Sequence, residues 1–164
     1  TEDTVTLLVT TGRTYIIPLT SLSEKDLKYL QRKEVSVSGP DDGWFEDAEE
    51  ARKVADITDR PVLMLFTGSD WCGYCIRLED NVLSKSVWRS FAEEQLILLK
   101  IDFPRRKKIS SAQLEANRKL QRTYGVRGYP TLILSDAKGE VLHSFGYGGQ
   151  SPAEFIDLVK NKLP

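Results

Sequence analysis

The chain has 164 residues, 40% hydrophobic and 29% charged, with a formal net charge of −1. That length suits one core of ordinary size plus a small appendage, and the composition is that of a globular domain. The near-zero charge excludes an overall pull toward nucleic acid or an anionic membrane, and no apolar stretch approaches the about 18 residues of a membrane span.

In chain order, residues 4–9 and 13–17 read as two short strands joined by a turn at Thr10-Thr11-Gly12, a hairpin ended by Pro18. Ser23 reads as a helix N-cap with Asp26 at the third helical position, and Leu22 and Leu27 sit where a hydrophobic staple falls, so a helix is expected to about Gln31. This extension buries too little surface to stand alone. Residues 36–43, with Gly39-Pro40-Asp41-Asp42-Gly43, read as a linker, so the chain divides into an extension and linker over 1–43 and a main domain over 44–164. From Trp44 the spacing of Ala48, Ala51 and Ala55 predicts a helix to about Thr58, broken by Asp59-Arg60-Pro61. Val62 to Phe66 is a continuous apolar run of buried-strand length. Ile76, Leu83, Val87 and Phe91 then mark one face of a single long helix. A second buried strand, Leu96 to Ile101, completes a βαβ unit and hence a parallel pair.

A loop carrying Arg105-Arg106-Lys107-Lys108 leads to a helix capped by Ser110, with Gln113 three residues on, and stopped by Gly125. Thr131 to Leu134 is a third apolar strand, turned by Asp136-Ala137-Lys138-Gly139 into an antiparallel strand over 140–145, where His143 alternates with Val141 and Phe145 and reads as structural or surface. Ser151-Pro152-Ala153-Glu154 is a helix start with a capping box, and Phe155, Ile156, Val159 and Leu163 face inward. Trp44 and Trp88 read as core. Charge is uneven along this path: residues 41–80 carry eleven acidic and four basic side chains, residues 105–122 seven basic and one acidic. Both segments read first as solvated surface; the other reading of the basic one is a docking surface for an electron partner.

The chemistry concentrates at Trp71-Cys72-Gly73-Tyr74-Cys75, which holds the only two cysteines. The pair sits on a strand-to-helix turn with Cys72 at the helix N-terminus, where unpaired N–H groups and the helix dipole favour a thiolate. A thiolate attacks disulfides, and a second thiol one turn on displaces the mixed disulfide. Three other readings stand beside this one. Half of a zinc site lacks ligands, because His143 is the sole histidine. A structural disulfide closing so short a loop constrains the unfolded chain little. Two buried thiols fit poorly with Gly73, Ser69 and Asp70 around them.

From Trp44 to Leu163 the chain resembles the thioredoxin family, on Trp71-Cys72-Gly73-Tyr74-Cys75 and on Tyr124-Gly125-Val126-Arg127-Gly128-Tyr129-Pro130-Thr131 leading into a hairpin and final helix. Phe66-Thr67-Gly68-Ser69-Asp70-Trp71-Cys72 and Lys100-Ile101-Asp102-Phe103-Pro104 are similar to the periplasmic Dsb-type reductases of the DsbH kind. The resemblance implies an α/β thioredoxin fold, a central mixed sheet flanked by helices, to which the hairpin and helix read above are an N-terminal addition. It implies Cys72 as nucleophile, Cys75 as resolving thiol, a cis Tyr129–Pro130 bond, and Tyr129 backbone groups that pair with substrate as an added strand. Pro130 alone also reads as an ordinary strand-start proline. Trp71, Gly73 and Tyr74 are expected to form the substrate-facing surface, although Trp71 also fits partial core packing.

Two departures from the thioredoxin pattern matter. The buried Asp six residues before the first Cys is Phe66 here, and the expected substitute acid/base is Glu79, four residues after Cys75; Glu79 equally reads as a solvated helix residue. The intervening pair is Gly-Tyr in place of Gly-Pro. The expectation is a thiol–disulfide oxidoreductase that reduces disulfide-bonded proteins and is recharged by a dithiol donor, with no organic cofactor or metal. Isomerase or oxidant, and a partner-binding module with secondary thiol chemistry, are the alternatives. The chain is expected to be a monomer in an extracytoplasmic setting. Beginning at Thr1 without Met, it reads as a processed or trimmed product from which any targeting segment is gone. Thr11-Gly12-Arg13, Pro18-Leu19 and Leu22 to Leu30 also resemble the C-terminal half of an SLA1-homology domain.

Overall fold

A computed structural model describes residues 4–8, 14–18, 23 and 43–164. The chain divides into two compact units, Thr1–Ser38 and Gly39–Pro164. In the first, Thr4–Leu8 (β1) and Thr14–Pro18 (β2) pair antiparallel with Thr6 opposite Ile16, as the hairpin reading expects. Its turn, the helix expected to Gln31, most of the linker and most of the SLA1-like segment lie outside the described residues.

The second unit is built on a five-stranded mixed sheet. Trp44–Phe45 (β3) leads into helix α1, Ala48–Thr58, and then Val62–Thr67 (β4). Gly73–Leu78 (α2) runs into a π-helical turn, Glu79–Leu83, followed by Ser86–Gln95 (α3) and Ile97–Asp102 (β5). Ser111–Thr123 (α4), Thr131–Ser135 (β6), Val141–Gly146 (β7) and Pro152–Lys160 (α5) complete the chain. The strand order is β3-β5-β4-β6-β7, with β4 parallel to β5 and antiparallel to β6.

β4 is apolar on both faces because both faces are covered. Val62, Met64 and Phe66 pack with Ala51, Val54 and Ala55 of α1, while Leu63 and Leu65 pack with Trp88, Phe155 and Val82 on the other side. The two-residue period of a strand sends alternate side chains into these two layers.

Two expectations are corrected. Trp44 belongs to an edge strand paired parallel with β5 at Leu98, and the helix begins only after Asp47, whose carboxylate accepts from the Glu49 and Glu50 amides. The helix after the cysteines is not continuous. At its π turn the Ser84 N–H donates to the Glu79 carbonyl, five residues back, and a new helix starts at Ser86. The extra residue shifts the periodicity. Ile76 and Val87, expected inside, are 39% and 54% exposed, and Leu78, Val82 and Ala92 are buried together with Trp88, which is core as read.

The ends of α4 and α5 form as the sequence indicates. Ser110 accepts from the Gln113 N–H, Gly125 takes a positive φ of 62°, and Ser151 and Glu154 close a capping box.

Candidate active site

The site lies where β4 ends and α2 begins. Thr67 closes β4 in register with Asp102 at the end of β5, so the loop 68–72 and the loop 103–108 leave the sheet side by side. Several hydrogen bonds hold them together. Asp102, buried at the strand end, accepts from the Ser69 N–H at 3.0 Å and the Ser69 hydroxyl at 2.6 Å. Its backbone carbonyl accepts from the Asn117 side chain at 2.8 Å. The Asp70 carboxylate accepts three consecutive backbone N–H groups, from Arg105, Arg106 and Lys107, at 2.9, 2.6 and 2.8 Å. The Trp71 indole N–H donates to the Phe103 carbonyl at 2.8 Å. Gly68 makes room for that indole, because a Cβ there would stand 2.6 Å from Trp71 Cε2.

The amides of Arg105 and Lys107, and then that of Arg106, hold the Asp70 carboxyl below the ordinary aspartate range. A carboxyl depressed in the folded state contributes stability that is present above its unfolded value, about pH 4, and is lost as pH falls through its folded value. Loop 103–108 is therefore expected to loosen only below about pH 4, and in Asp70→Asn at every pH. Amide hydrogen exchange at Arg105–Lys107 checks this; equal protection in both proteins at neutral pH would contradict it.

Cys72 caps α2 and is joined to Cys75 in a disulfide, with the Cys75 N–H directed at Cys72 Sγ at 3.3 Å. Cys72 is half-buried, whereas Cys75 is only 4% exposed. Cys72 Sγ lies 3.6 Å from the Tyr129 carbonyl oxygen, and the Tyr129–Pro130 bond is cis. The Tyr129 ring stacks on Phe103 and meets Trp71 edge-on, with centroids 5.3 and 6.0 Å apart, and its hydroxyl accepts from the Gln121 side chain at 2.8 Å. Burial pushes that hydroxyl's pKa up, partly offset by Gln121, so it stays neutral. Gly73 and Tyr74 are exposed beside the cysteines, Tyr74 at 55%.

Glu79 lies one turn beyond Cys75, its N–H donating to the Cys75 carbonyl. Its carboxylate is 3.9 Å from Lys100 Nζ. Lys100 in turn borders a cleft of about 460 Å³ that Ser69 and Asp102 also line.

Trp71, Cys72, Tyr129 and Pro130 thus come together at one surface, with Cys75 buried next to Cys72. Trp71 stands between the cysteine loop and Tyr129, neither wholly core nor wholly surface. Sequence reasoning missed Gly68, Ser69, Asp70 and Asp102 as parts of the site, and Arg105, which lies over Trp71. The available signal was Asp70 two residues before Cys72, whose partners are backbone N–H groups and leave no trace in side-chain identity.

This fold and dithiol define a thioredoxin-like protein: the thioredoxin-like domain family matches residues 48–162, and the chain belongs to it. Among its relatives is the disulfide bond reductase DsbH of Chlamydia pneumoniae, 33% identical over 119 residues, which are 73% of this chain and 72% of that protein. The solved structure of a DsbH oxidoreductase is similar at a TM-score of 0.70 and 31% identity, covering 77% of this chain and 88% of that one. A thioredoxin from Thermus thermophilus shares the fold at a TM-score of 0.54 and 21% identity, over 72% of this chain and 84% of its own. The chain is a thiol–disulfide oxidoreductase with a redox-active disulfide between Cys72 and Cys75.

Proposed function

We propose that the chain reduces disulfides in protein substrates, with Cys72 as nucleophile and Cys75 as resolving thiol. The observation that carries the assignment is the asymmetry of the pair. Cys72 reaches the surface and faces the Tyr129 carbonyl, while Cys75 is buried behind it. Similarity to a disulfide bond reductase supports the direction. In the reduced protein the Cys72 thiolate attacks one sulfur of a substrate disulfide. That bond breaks, a mixed disulfide forms, and the leaving substrate thiolate takes up a proton. Cys75 then loses its proton and attacks Cys72 Sγ, releasing the second substrate thiolate. Two electrons have passed to the substrate, and the chain holds the Cys72–Cys75 disulfide. A dithiol donor returns it to the reduced form by the reverse exchange, without organic cofactor or metal.

Tyr129 offers its backbone to a substrate segment as a strand partner beside Pro130, a mode tolerant of substrate sequence. Trp71, Gly73 and Tyr74 supply the rim against which the segment lies. The Dsb-type likeness supports a setting outside the cytoplasm, and among the described residues no helix is long and apolar enough to cross a membrane. Stepped glutathione buffers test the direction of electron flow, because they order this dithiol against donors and substrates.

Phe66 leaves no carboxylate in β4 to accept the Cys75 proton, and we assign that role to Glu79. Its place one turn beyond Cys75, with its N–H on the Cys75 carbonyl and its carboxylate half-exposed beside Lys100, supports the assignment. Glu79→Gln is expected to slow the resolving step about 10²-fold while Cys72 attack continues. Rapid-quench analysis of the mixed disulfide checks this, and an unchanged resolving rate would remove Glu79 from the mechanism.

A further inference from the structure

Two arginines lie on the aromatic rings of the dithiol motif, and a third stands close in sequence to the residue that faces Cys72. The Arg105 guanidinium lies 3.7 Å from the centroid of the Trp71 ring, and that of Arg77 lies 4.2 Å from the Tyr74 ring. Trp71 precedes Cys72 and Tyr74 precedes Cys75, so each cation rests on an aromatic face of the motif itself. Arg127 stands two residues before Tyr129, whose carbonyl faces Cys72 Sγ. All three arginines are exposed, and among the described residues none of them is in an ion pair.

We propose that these arginines select disulfides whose cysteines are flanked by acidic residues. The inference rests on Cys72 attack as proposed above and names the substrate class for that same site. Arg105 is not on a loose loop. Asp70 holds the backbone of residues 105–107 by three hydrogen bonds, and Trp71 is tied to Phe103. A cation held in place loses less entropy when it meets a carboxylate. Stacking uses the face of the guanidinium and leaves N–H donors at its edge for a carboxylate.

Among the described residues the acidic groups close by leave the three arginines without an ion pair. Asp70 keeps its negative charge, but its oxygens are engaged by backbone N–H groups and not by an arginine side chain. Glu79 faces Lys100. Lys107 lines the cleft with Glu46, Asp47 and Glu50, so it faces carboxylates of this chain and is not counted in the selection. Rim charges of this kind act on association rate and salt dependence more than on final affinity.

The test uses the reduced Cys75→Ser chain and three cyclic peptides, each with one internal disulfide flanked by aspartates, serines or lysines. Cys72 opens the peptide disulfide and forms a mixed disulfide, and the second peptide sulfur leaves as a thiolate that takes up a proton. The readout is the ratio of second-order rates between peptides, which cancels any change in the intrinsic reactivity of Cys72. At about 0.01 M salt, where charges act over about 30 Å, the aspartate peptide is expected to react about tenfold faster than the lysine peptide. At about 1 M salt the ratio should fall toward one. Replacing Arg77, Arg105 and Arg127 together by Gln should bring it near one at low salt as well, and the single replacements should each lower it in part if the triple variant does not fold. Equal rates for the three peptides at low salt, faster attack on the lysine peptide, or a ratio unmoved by the replacements would overturn the inference while leaving the reductase reading intact. Failure to attack any of the three peptides would overturn both.

Discussion

Cys72→Ser is expected to abolish turnover, and Cys75→Ser to leave attack intact but strand the protein as a mixed disulfide. The first effect is the largest expected at any position. A serine hydroxyl stays protonated at neutral pH and forms no stable bond to sulfur, so the rate should drop by about 10³-fold or more, to the uncatalysed level. The second follows from geometry. Cys75 is buried, with its amide against Cys72 Sγ, so the sulfur within its reach is Cys72 Sγ itself, with the substrate sulfur as leaving group. Non-reducing electrophoresis of each variant with a disulfide-bonded protein separates the two outcomes. Accumulated adduct with Cys75→Ser and none with Cys72→Ser is the expected result. The reverse pattern would exchange the two roles, and turnover in either variant would contradict the exchange mechanism.

Phe155→Ala is expected to destabilise the second unit by about 3–5 kcal/mol. Phe155 is fully buried in the first turns of α5. Its ring centroid lies 5.2 Å from that of Trp88, 6.1 Å from Tyr147 and 6.3 Å from Phe145. It therefore joins the last helix to α3 and to the β7 end of the sheet. Removing it leaves a cavity among aromatic rings held by different elements, which cannot all close in together. Against a typical total stability of about 5–15 kcal/mol, such a loss leaves a marginal fold. The midpoint of denaturant unfolding reads it directly. A loss below about 1 kcal/mol would mean that the packing around α5 relaxes freely.

The parts of this molecule that were legible in the sequence are those set by local rules. The apolar run at Val62–Phe66, the cap at Ser110, the box at Ser151 and Glu154 and the cysteine spacing each act over a few residues, and each forms as read. Two features set by longer-range forces were not. Trp44-Phe45 has no strand signal of its own and becomes one only because β5 offers an open edge. The π turn at Glu79–Leu83 adds a residue to the helix, so a template with 3.6 residues per turn placed Ile76 and Val87 inside. The same limit applied to the site. Cys72, Cys75 and Pro130 are marked by residue type, whereas the clamp between Asp70 and loop 103–108 is made of backbone amides from a segment more than thirty residues away. The basic run 105–108 read as solvated surface, and its side chains are indeed exposed, but Arg105 lies on the aromatic beside the first cysteine.

The reduction potential of the Cys72/Cys75 pair, measured by equilibration with glutathione buffers, tests the proposed direction of electron flow most directly. A reductase requires a value near that of thioredoxin, about −270 mV. A value between about −180 and −120 mV, where disulfide isomerases and strong oxidants lie, would contradict it and assign the dithiol to isomerisation or oxidation.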